Sequence, residues 1–436
     1  MDSSLKIIQT LYLPDDGSDP LSNSLGFLSP EFNWMGWALS CLQLKQYYKR
    51  VELYTNNAGY EVLINRLKLP YDEVHVVLND LSFPPQLWAY PKLHTYSLQT
   101  EPFLHVDGDA FFWEKLDESI LNKPLIAQNI EINAPFYKTI LTRLLSFDIV
   151  FPEVVLERFN ANTEIAAYNA GIIGGRDIDF FKTYTAEVFK FINENSNRRG
   201  LLMIPELNMI YEQVLFYCLA KQKEASVTCY LKDEVHDMTY PGFADFINVA
   251  GDTKYIHLMG AFKKNADCCY MLAKRLRHDY PEYYYRVIEE CKRSGIEMFL
   301  SCYNTTISNN AINWQSLYDN EKKQYALIED VFKNNKLLSK KFKVNKFMSV
   351  NNIDADHMIY NIPISYSMEF KQHEADQLDE VLIDLMGRDR SYNELLGLIA
   401  DCFDEGDTEQ GREDIRKLLN LKLRTGLYAN LYEICE

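Results

Sequence analysis

The stretch Pro102-Phe-Leu-His-Val-Asp-Gly-Asp109 joins a short apolar run to two carboxylates that follow it directly. A short apolar run between helical patterns is typical of a buried strand. In layered α/β proteins ligands bind beyond the carboxyl ends of the strands, so this strand would deliver Asp107 and Asp109 to a binding edge. Two carboxylates suit Mg²⁺ or Mn²⁺, which prefer oxygen ligands and would hold a diphosphate. The stretch therefore predicts an α/β fold with a divalent metal site.

The Asp-x-Asp pattern is frequent and is informative only in context. It also occurs at Asp177/Asp179 and Asp354/Asp356, but only Asp107-Gly108-Asp109 follows a predicted buried strand. The alternative for this triplet is a strand-end turn, because Asp and Gly both favour turns.

The first 260 residues alternate short apolar runs with stretches of helical spacing. This alternation is typical of strands joined by crossover helices, and it predicts a sheet covered by helices on both faces. Strands are predicted at residues 5–11, 51–54, 74–78, 102–106, 125–127, 166–173, 227–231 and 255–258. Helices are predicted at residues 34–48, 61–67, 178–192 and 207–220.

A chain of 436 residues is long enough for more than one domain. We expect an α/β domain at 1–270, a helical linking region at 271–346 and a small α+β domain at 347–436. In the small domain, Ser391 and Glu394 predict a capping box at the start of a helix. A further helix is predicted at 409–421, ending at Gly426 before a strand at 427–434, an order typical of winged-helix domains.

Composition and charge limit the classes of partner. The formal net charge of −17 repels phosphate backbones, so nucleic acid is excluded as a general partner. No stretch of about 18 uncharged apolar residues occurs, and the N-terminus has no leader pattern. We therefore expect a cytoplasmic protein without a transmembrane segment. The nine cysteines have no C-x-x-C spacing, which predicts reduced thiols and no zinc site.

Two other motifs place polar groups at strand ends. Asn169-Ala-Gly171 offers an amide and a residue that lets the backbone approach a ligand closely, although a tight turn or bulge is the alternative. His257-Leu-Met-Gly260-Ala-Phe-Lys263 combines a metal-ligating imidazole, a glycine and a lysine suited to phosphate. Taken singly, a packed histidine and a solvated lysine are the more common interpretations.

Five motifs follow one another along the chain: Lys92-Leu-His-Thr-Tyr-Ser-Leu98, Asp107-Gly108-Asp109, Tyr168-Asn-Ala-Gly171, Glu212-Gln213 and His257-x-x-Gly260-x-x-Lys263. Their order resembles the glycogenin and galactosyltransferase-like family of GT-A glycosyltransferases (glycosyltransferase family 8). The resemblance covers roughly residues 5–265, and its most specific element is the His-Gly-Lys motif paired with Asp-x-Asp.

This resemblance implies transfer of a sugar from a nucleotide-diphosphate donor such as a UDP-sugar, with Mn²⁺ or Mg²⁺ bound and with retention at the anomeric carbon. Two departures, Asn265 where the family often has Pro-Trp and Glu212 where it usually has Asp, affect donor geometry and stereochemistry. An inverting enzyme would instead need a carboxylate base, for which Glu212 is nearest. The implied roles are metal ligands Asp107, Asp109 and His257, donor contacts Lys92, Gly108, Gly171, Gly260 and Lys263, sugar neighbours Asn169 and Gln213, and nucleobase neighbours Thr10 and Tyr12.

Residues 355–432 resemble small winged-helix domains that bind leader peptides, which implies a ribosomally made peptide as the acceptor. Two alternatives keep other roles open for this region: a helical appendage that only packs or dimerises, and a DNA-binding winged helix. Residues 374–436 hold 16 acidic and 7 basic residues, a balance of −9 that argues against DNA binding. The competing functions for the whole chain are transfer to a glycan or lipid-linked acceptor, and a catalytically silent GT-A scaffold that binds peptides.

Overall fold

The computed structural model describes residues 5–132, 134–160, 165–198, 206–232, 234–236, 244–246, 248–300, 314–352, 358–364, 369–403 and 408–435. The chain forms two compact units, Met1–Glu297 and Met298–Glu436. Residues 271–346, predicted as a linking region, are shared between these units. Among the described residues, no helix combines the length and the apolar character needed to cross a membrane.

A mixed sheet lies at the centre of the first unit. The described strands of this unit are β1 Lys6–Leu11, β2 Val51–Thr55, β3 Glu73–Val76, β4 Phe103–Val106, β5 Ala110–Phe112, β6 Leu125–Ala127, β7 Ile130–Ile132, β8 Ala166–Tyr168, β9 Ile172–Gly175, β10 Val227–Cys229, β11 Val235–His236 and β12 Tyr255–His257. Seven of them form the central sheet, in the order β10-β6-β9-β4-β1-β2-β3. Strand β9 is antiparallel to both neighbours, and the other adjacent pairs are parallel. The chain therefore leaves β4 and β6, and enters β9, at one edge of the sheet.

Helices cover both faces of this sheet. Successive side chains of a strand point to opposite faces, so neighbouring strand residues pack into different cores. Ile8 belongs to a core that includes Tyr96 and Tyr184, while its neighbour Ile7 belongs to a separate core with Leu44. The predicted α/β arrangement with two covered faces is confirmed. The described helices of this unit are Pro30–Tyr47, Asn57–Tyr60, Glu61–Arg66, Tyr90–Ser97, Glu118–Leu121, Ala134–Leu145, Glu153–Asn160, Ile178–Glu194, Leu207–Met209, Ile210–Val214, Leu215–Gln222, Ala266–Asp279 and Pro281–Arg293, together with short 3₁₀ turns.

The single strand predicted at 166–173 is wrong, because Asn169-Ala170-Gly171 forms a turn between β8 and β9. The side-chain oxygen of Asn169 accepts a hydrogen bond from the Gly171 N–H at 2.9 Å, which closes that turn. Strands β5, β7 and β11 were not predicted. The segments Glu61–Arg66 and Ile210–Val214 are π-helical turns, where an α-helix was expected.

The described strands and helices of the second unit are β13 Lys341–Val344, β14 Ser349–Asn352, β15 Met358–Ile364, β16 Glu369–Glu374, β17 Arg390–Ser391, β18 Tyr432–Cys435, and the helices Trp314–Lys333, Gln377–Leu385, Tyr392–Ala400 and Glu409–Tyr428. These strands form two three-stranded sheets, ordered β17-β13-β18 and β14-β15-β16. The core of the unit includes Leu382, Leu395 and Leu419, all with 1% exposure or less. The predicted capping box is confirmed, since the Ser391 N–H donates to the Glu394 carboxylate at 2.7 Å and Ser391 Oγ accepts from the Glu394 N–H.

The predicted end of the last helix at Gly426 is wrong. The helix continues to Tyr428, and the strand begins at Tyr432 instead of residue 427. A Cβ added at Gly426 would lie only 2.1 Å from the Tyr432 ring. Gly426 therefore leaves room for the Tyr432 ring to pack against the helix, and it does not end the helix.

The outer edge of β18 is hydrogen-bonded to a glutamine side chain. Gln324 donates from Nε2 to the Ile434 carbonyl at 3.0 Å and accepts at Oε1 from the Ile434 N–H at 2.7 Å. One side-chain amide thus takes the place of a neighbouring strand at this edge.

Candidate metal centre

The carboxyl edge of the large sheet brings together the polar strand ends. Strand β4 ends at Val106, so Asp107 begins the turn beyond it, and the Asp107 N–H donates to the Gly171 carbonyl at 3.0 Å. Asp109 leads into β5, which pairs with β12 so that His257 lies opposite Ala110. The fold therefore places the Asp107–Asp109 turn next to His257, although 148 residues of sequence separate Asp109 from it.

Asp107, Asp109 and His257 form a group that could hold a metal ion, since their ligand atoms all lie within 4.8 Å of one another. His257 Nε2 is 3.4 Å from an Asp109 oxygen and 3.9 Å from an Asp107 oxygen. Two carboxylates and one imidazole are a suitable donor set for a divalent cation. The structure thus brings together the three residues that the sequence predicted as metal ligands.

Two lysines contact the carboxylates of this group. Lys263 Nζ lies 2.5 Å from an Asp109 oxygen, and Lys92 Nζ lies 2.8 Å from an Asp107 oxygen. Burial alone would raise the pKa of Asp109, but Lys263 and His257 lower it below its ordinary value. Burial likewise opposes the charged form of Lys92, yet its carboxylate neighbours raise its pKa well above the ordinary value. Both groups are therefore held in their charged forms.

Lys92 also contacts Glu212, at 2.6 Å. Glu212 is only 1% exposed, and burial raises its pKa, an effect that Lys92 opposes. Gln213, which is partly exposed, hydrogen-bonds to the Glu212 carboxylate. Both residues lie in the π-helical segment Ile210–Val214, a kind of distortion that is frequent at functional sites.

The backbone of the Asp107 turn is fixed by two buried polar side chains. Gln9 Nε2 donates to the Val106 carbonyl at 3.3 Å, and Ser40 Oγ donates to the Ala110 carbonyl at 2.8 Å. Gly108 packs on Trp37, because an added Cβ would lie 2.5 Å from the indole ring. Any side chain at position 108 would displace this turn from the helix Pro30–Tyr47 below it.

The turn Asn169-Ala170-Gly171 borders the group without contributing a charged atom. Asn169 is 3% exposed, and its Nδ2 donates to Glu131 at 2.6 Å. A Cβ at Gly171 would lie 2.2 Å from Gln128 Oε1 and 2.3 Å from His257 Nδ1. The side chains that approach the backbone closely at Gly171 are therefore Gln128 and His257.

The remaining predicted residues lie at the margin of the group. Thr10 Oγ1 is 3.1 Å from Nε2 of buried His105, whose Nδ1 is 3.6 Å from Asp107. Burial and the charge of Lys92 lower the pKa of His105 well below its ordinary value, so its ring is neutral. The Tyr12 ring lies 5.0 Å from that of Phe83.

The short 3₁₀ turn Gly260–Lys264 positions Lys263. Gly260 begins it with φ at +54°, a left-handed conformation that favours glycine. The Lys263 carbonyl accepts from the Leu28 N–H at 2.8 Å, which ties the turn to residues before the helix Pro30–Tyr47.

The look-alike triplets differ from Asp107-Gly108-Asp109. Asp177 caps the helix Ile178–Glu194, accepting from the Phe180 N–H at 2.9 Å, and the side chain of Asp179 is 94% exposed. Asp354 and Asp356 lie outside the described residues. The position directly after a strand therefore distinguished Asp107-Gly108-Asp109, which lies beside His257, from Asp177/Asp179, in which Asp177 caps a helix.

A second acidic group comprises Glu52, Glu73 and His75. Glu52 already pairs with Lys6 at 3.2 Å and with Arg50 at 2.7 Å. Glu52 and Glu73 lie near the amino ends of their parallel strands, so the group forms a charge network toward the edge opposite Asp107. We interpret this network as structural.

Sequence reasoning missed Gln128, whose Oε1 lies 2.8 Å from His257 Nδ1. It also missed Tyr255, whose hydroxyl donates to the same oxygen at 2.6 Å. A usable signal existed for Gln128, because it directly follows a predicted strand and so belongs to the same sheet edge as Asp107.

Comparison with known proteins gives a family but no activity. Residues 5–290 match a family model described as "Family of unknown function (DUF6734)". The match covers more than half of the chain, so the chain belongs to this family. No curated protein matches the sequence. The matched range includes every residue of the metal centre.

Proposed function

We propose that this member of the DUF6734 family is a metal-dependent glycosyltransferase with a GT-A fold that transfers a sugar from a nucleotide-diphosphate donor, most readily a UDP-sugar. One observation carries the proposal: Asp107, Asp109 and His257 converge at the carboxyl edge of a mixed sheet, with Lys92 and Lys263 in contact with the two carboxylates. The sequence resemblance to GT-A enzymes supports the same assignment.

The charges of the site suit a divalent ion and a diphosphate. Three carboxylates, Asp107, Asp109 and Glu212, face two ammonium groups. A divalent ion held by Asp107, Asp109 and His257 would neutralise negative charge on the diphosphate leaving group as the glycosidic bond breaks. The residues present therefore fit Mn²⁺ or Mg²⁺ by donor type and by charge.

The chain's own residues would then bind and orient the donor. Lys263 would exchange its contact with Asp109 for a phosphate oxygen, since an ammonium on a flexible stem moves easily. Lys92, fixed between Asp107 and Glu212, would hold the Asp107 carboxylate in place and donate a hydrogen bond to the nucleotide-sugar. Thr10 and Tyr12, at the end of β1, would lie beside the nucleobase.

For the stereochemistry we propose retention, with Gln213 and Asn169 near the transferred sugar. Glu212 is a poor candidate for a general base, because it is almost fully buried and already paired with Lys92. Proton NMR of the first-formed product would decide, since a donor and product of the same anomeric configuration are expected. A product of opposite configuration would assign inversion.

For the acceptor we propose a peptide bound by the second unit as an added strand. The β18 edge is already bonded to Gln324 and β17 has only two residues, so the outer strands β14 and β16 of the other sheet are the edges to which a peptide would add. A glycan or lipid-linked sugar is the alternative acceptor. Mass spectrometry of peptide and glycan acceptors incubated with the full chain and a donor would distinguish them.

The direct test of the enzymatic proposal is release of UDP. The full chain would be incubated with a panel of UDP-hexoses and UDP-N-acetylhexosamines, with Mn²⁺, with Mg²⁺ or with a chelator. We expect UDP release that requires a divalent ion. UDP binding without turnover of any donor would instead favour the catalytically silent scaffold.

A further inference from the structure

We propose that Gln128 is a positioning residue for the metal centre, which orients His257 and determines that its Nε2 atom, and not Nδ1, faces Asp107 and Asp109. This inference rests on the proposed metal site, but it concerns a contact between two residues of the protein that can be measured without any ion. Gln128 was not among the residues that the sequence motifs identified.

The contact is short and fully buried. Gln128 is 0% exposed and His257 is 4% exposed, and 2.8 Å separates Gln128 Oε1 from His257 Nδ1. The Tyr255 hydroxyl donates to the same oxygen at 2.6 Å. An amide oxygen only accepts hydrogen bonds, so the Nδ1 atom that faces it must carry the proton.

A directional chain of amides determines which end of the Gln128 side chain faces the histidine. Asn129 Nδ2 donates to the Ile130 carbonyl at 3.3 Å, so Asn129 Oδ1 is left to accept from Gln128 Nε2 at 3.0 Å. The Gln128 nitrogen is therefore engaged on the side away from His257, and its oxygen points to the ring. The chain begins at a backbone carbonyl, which has no alternative orientation.

The consequence for His257 concerns its other nitrogen. Because Gln128 holds the Nδ1 proton, Nε2 is the atom from which a metal ion would displace any proton, and it lies 3.4 Å from an Asp109 oxygen and 3.9 Å from an Asp107 oxygen. A neutral imidazole ligates a metal through a nitrogen lone pair, and a hydrogen bond to the other ring nitrogen normally fixes its orientation. Gln128 would supply that hydrogen bond.

The surrounding packing restricts the pair to this arrangement. A Cβ at Gly171 would lie 2.2 Å from Gln128 Oε1 and 2.3 Å from His257 Nδ1. Only a glycine at position 171 leaves room for the amide and the imidazole to meet. The backbone of the turn Asn169–Gly171 thus forms one wall of the contact.

The test uses the full chain with Gln128→Met, which keeps the side-chain length but removes the acceptor, and Gln128→Glu, which keeps an acceptor oxygen. Gln99→Met is a matched control, because Gln99 is also buried in the first unit and its Oε1 also accepts from a tyrosine, Tyr54. Titration with Mn²⁺ alone should show roughly 10- to 100-fold weaker binding for Gln128→Met, and affinity within a few-fold of wild type for the other two variants.

A second readout separates this inference from the proposed function. Nitrogen-15 NMR of the metal-free protein, with the His257 signals assigned through His257→Asn, reports whether Nδ1 carries a hydrogen-bonded proton that is protected from exchange. We expect this protected Nδ1 proton in the wild type and in Gln99→Met, and its loss in Gln128→Met. An equally protected Nδ1 proton in Gln128→Met would overturn the inference. If no protein binds Mn²⁺ but the Nδ1 proton loses its protection as expected, the metal site is refuted and the orienting role of Gln128 stands.

Discussion

The ammonium of Lys263 lies 2.5 Å from a carboxylate oxygen of Asp109, one of the three residues grouped as candidate metal ligands. The lysine and a metal ion would therefore compete for the same carboxylate. A diphosphate would remove that competition by offering the lysine another anion.

Lys263→Met should have opposite effects on two ligands. We expect tighter binding of Mn²⁺ alone, because a competing cation is removed, and weaker binding of UDP in the presence of Mn²⁺, by roughly 10- to 100-fold if one charge-assisted hydrogen bond is lost. Calorimetric titration of each ligand measures both effects. Lys264→Met is the control, since Lys264 is exposed and should change neither affinity. Weaker binding of both ligands would refute the competition.

Gly171→Ala should weaken Mn²⁺ binding. A new Cβ would overlap Gln128 Oε1 and His257 Nδ1, so one of these side chains would have to leave its position. Gly397→Ala is a suitable comparison, because an added Cβ there meets nothing within 4 Å. Equal Mn²⁺ affinity for both variants and the wild type would contradict the described packing.

Lys92→Met should destabilise the first unit, because it leaves Glu212 as a buried carboxylate without its counter-ion. Breaking a buried ion pair from one side costs about 3–5 kcal/mol of unfolding free energy. The loss should be larger at pH 7 than at pH 5, since burial raises the pKa of Glu212 and protonation at lower pH removes its charge. Urea unfolding at both pH values measures this. The double variant Lys92→Met/Glu212→Gln should recover part of the loss, and no recovery would indicate that Lys92 acts through packing alone.

Glu101 provides a pH-dependent contribution to stability. Its hydrogen bond with Arg50 holds the pKa of Glu101 at about 2, below the ordinary value of about 4.3. Because the folded pKa is depressed, this stabilisation is present above about pH 4.3 and is lost as pH falls through about 2. Glu101→Gln should thus lower the unfolding free energy at pH 7 by a small amount, since the side chain is about half exposed, and by less at pH 3. A difference that does not change with pH would contradict this assignment.

Much of the first unit could be predicted because its strands are short apolar runs with polar residues at their carboxyl ends. Asp107 and His257 were identified in this way, each directly from the end of a strand. A single strand was predicted across the turn at Asn169, because the apolar residues on both sides of the turn gave one continuous pattern. Gly426 was wrongly predicted to end a helix. The Tyr432 ring that requires a glycine at this position comes from a later strand, so the local sequence did not reveal it.

The residues that sequence could not reveal act through long-range contacts. Gln128 and His257 are 129 residues apart, and they meet only because β6 and the β5–β12 pair lie at the same edge of the fold. The ion pair between Lys92 and Glu212 likewise depends on two helices that sequence patterns do not place together. Residue type and local spacing identify ligands, whereas the partners that orient them depend on strand order.

The most direct test of the glycosyltransferase assignment compares two aspartates from look-alike triplets. UDP release from a UDP-sugar with Mn²⁺ would be measured for the full chain, for Asp109→Asn and for Asp179→Asn, whose side chain is almost fully exposed. We expect metal-dependent turnover in the wild type and in Asp179→Asn, and a loss of at least roughly 100-fold in Asp109→Asn with the fold retained, consistent with removal of a metal ligand that stabilises the leaving group. Unchanged turnover in Asp109→Asn would contradict the assignment.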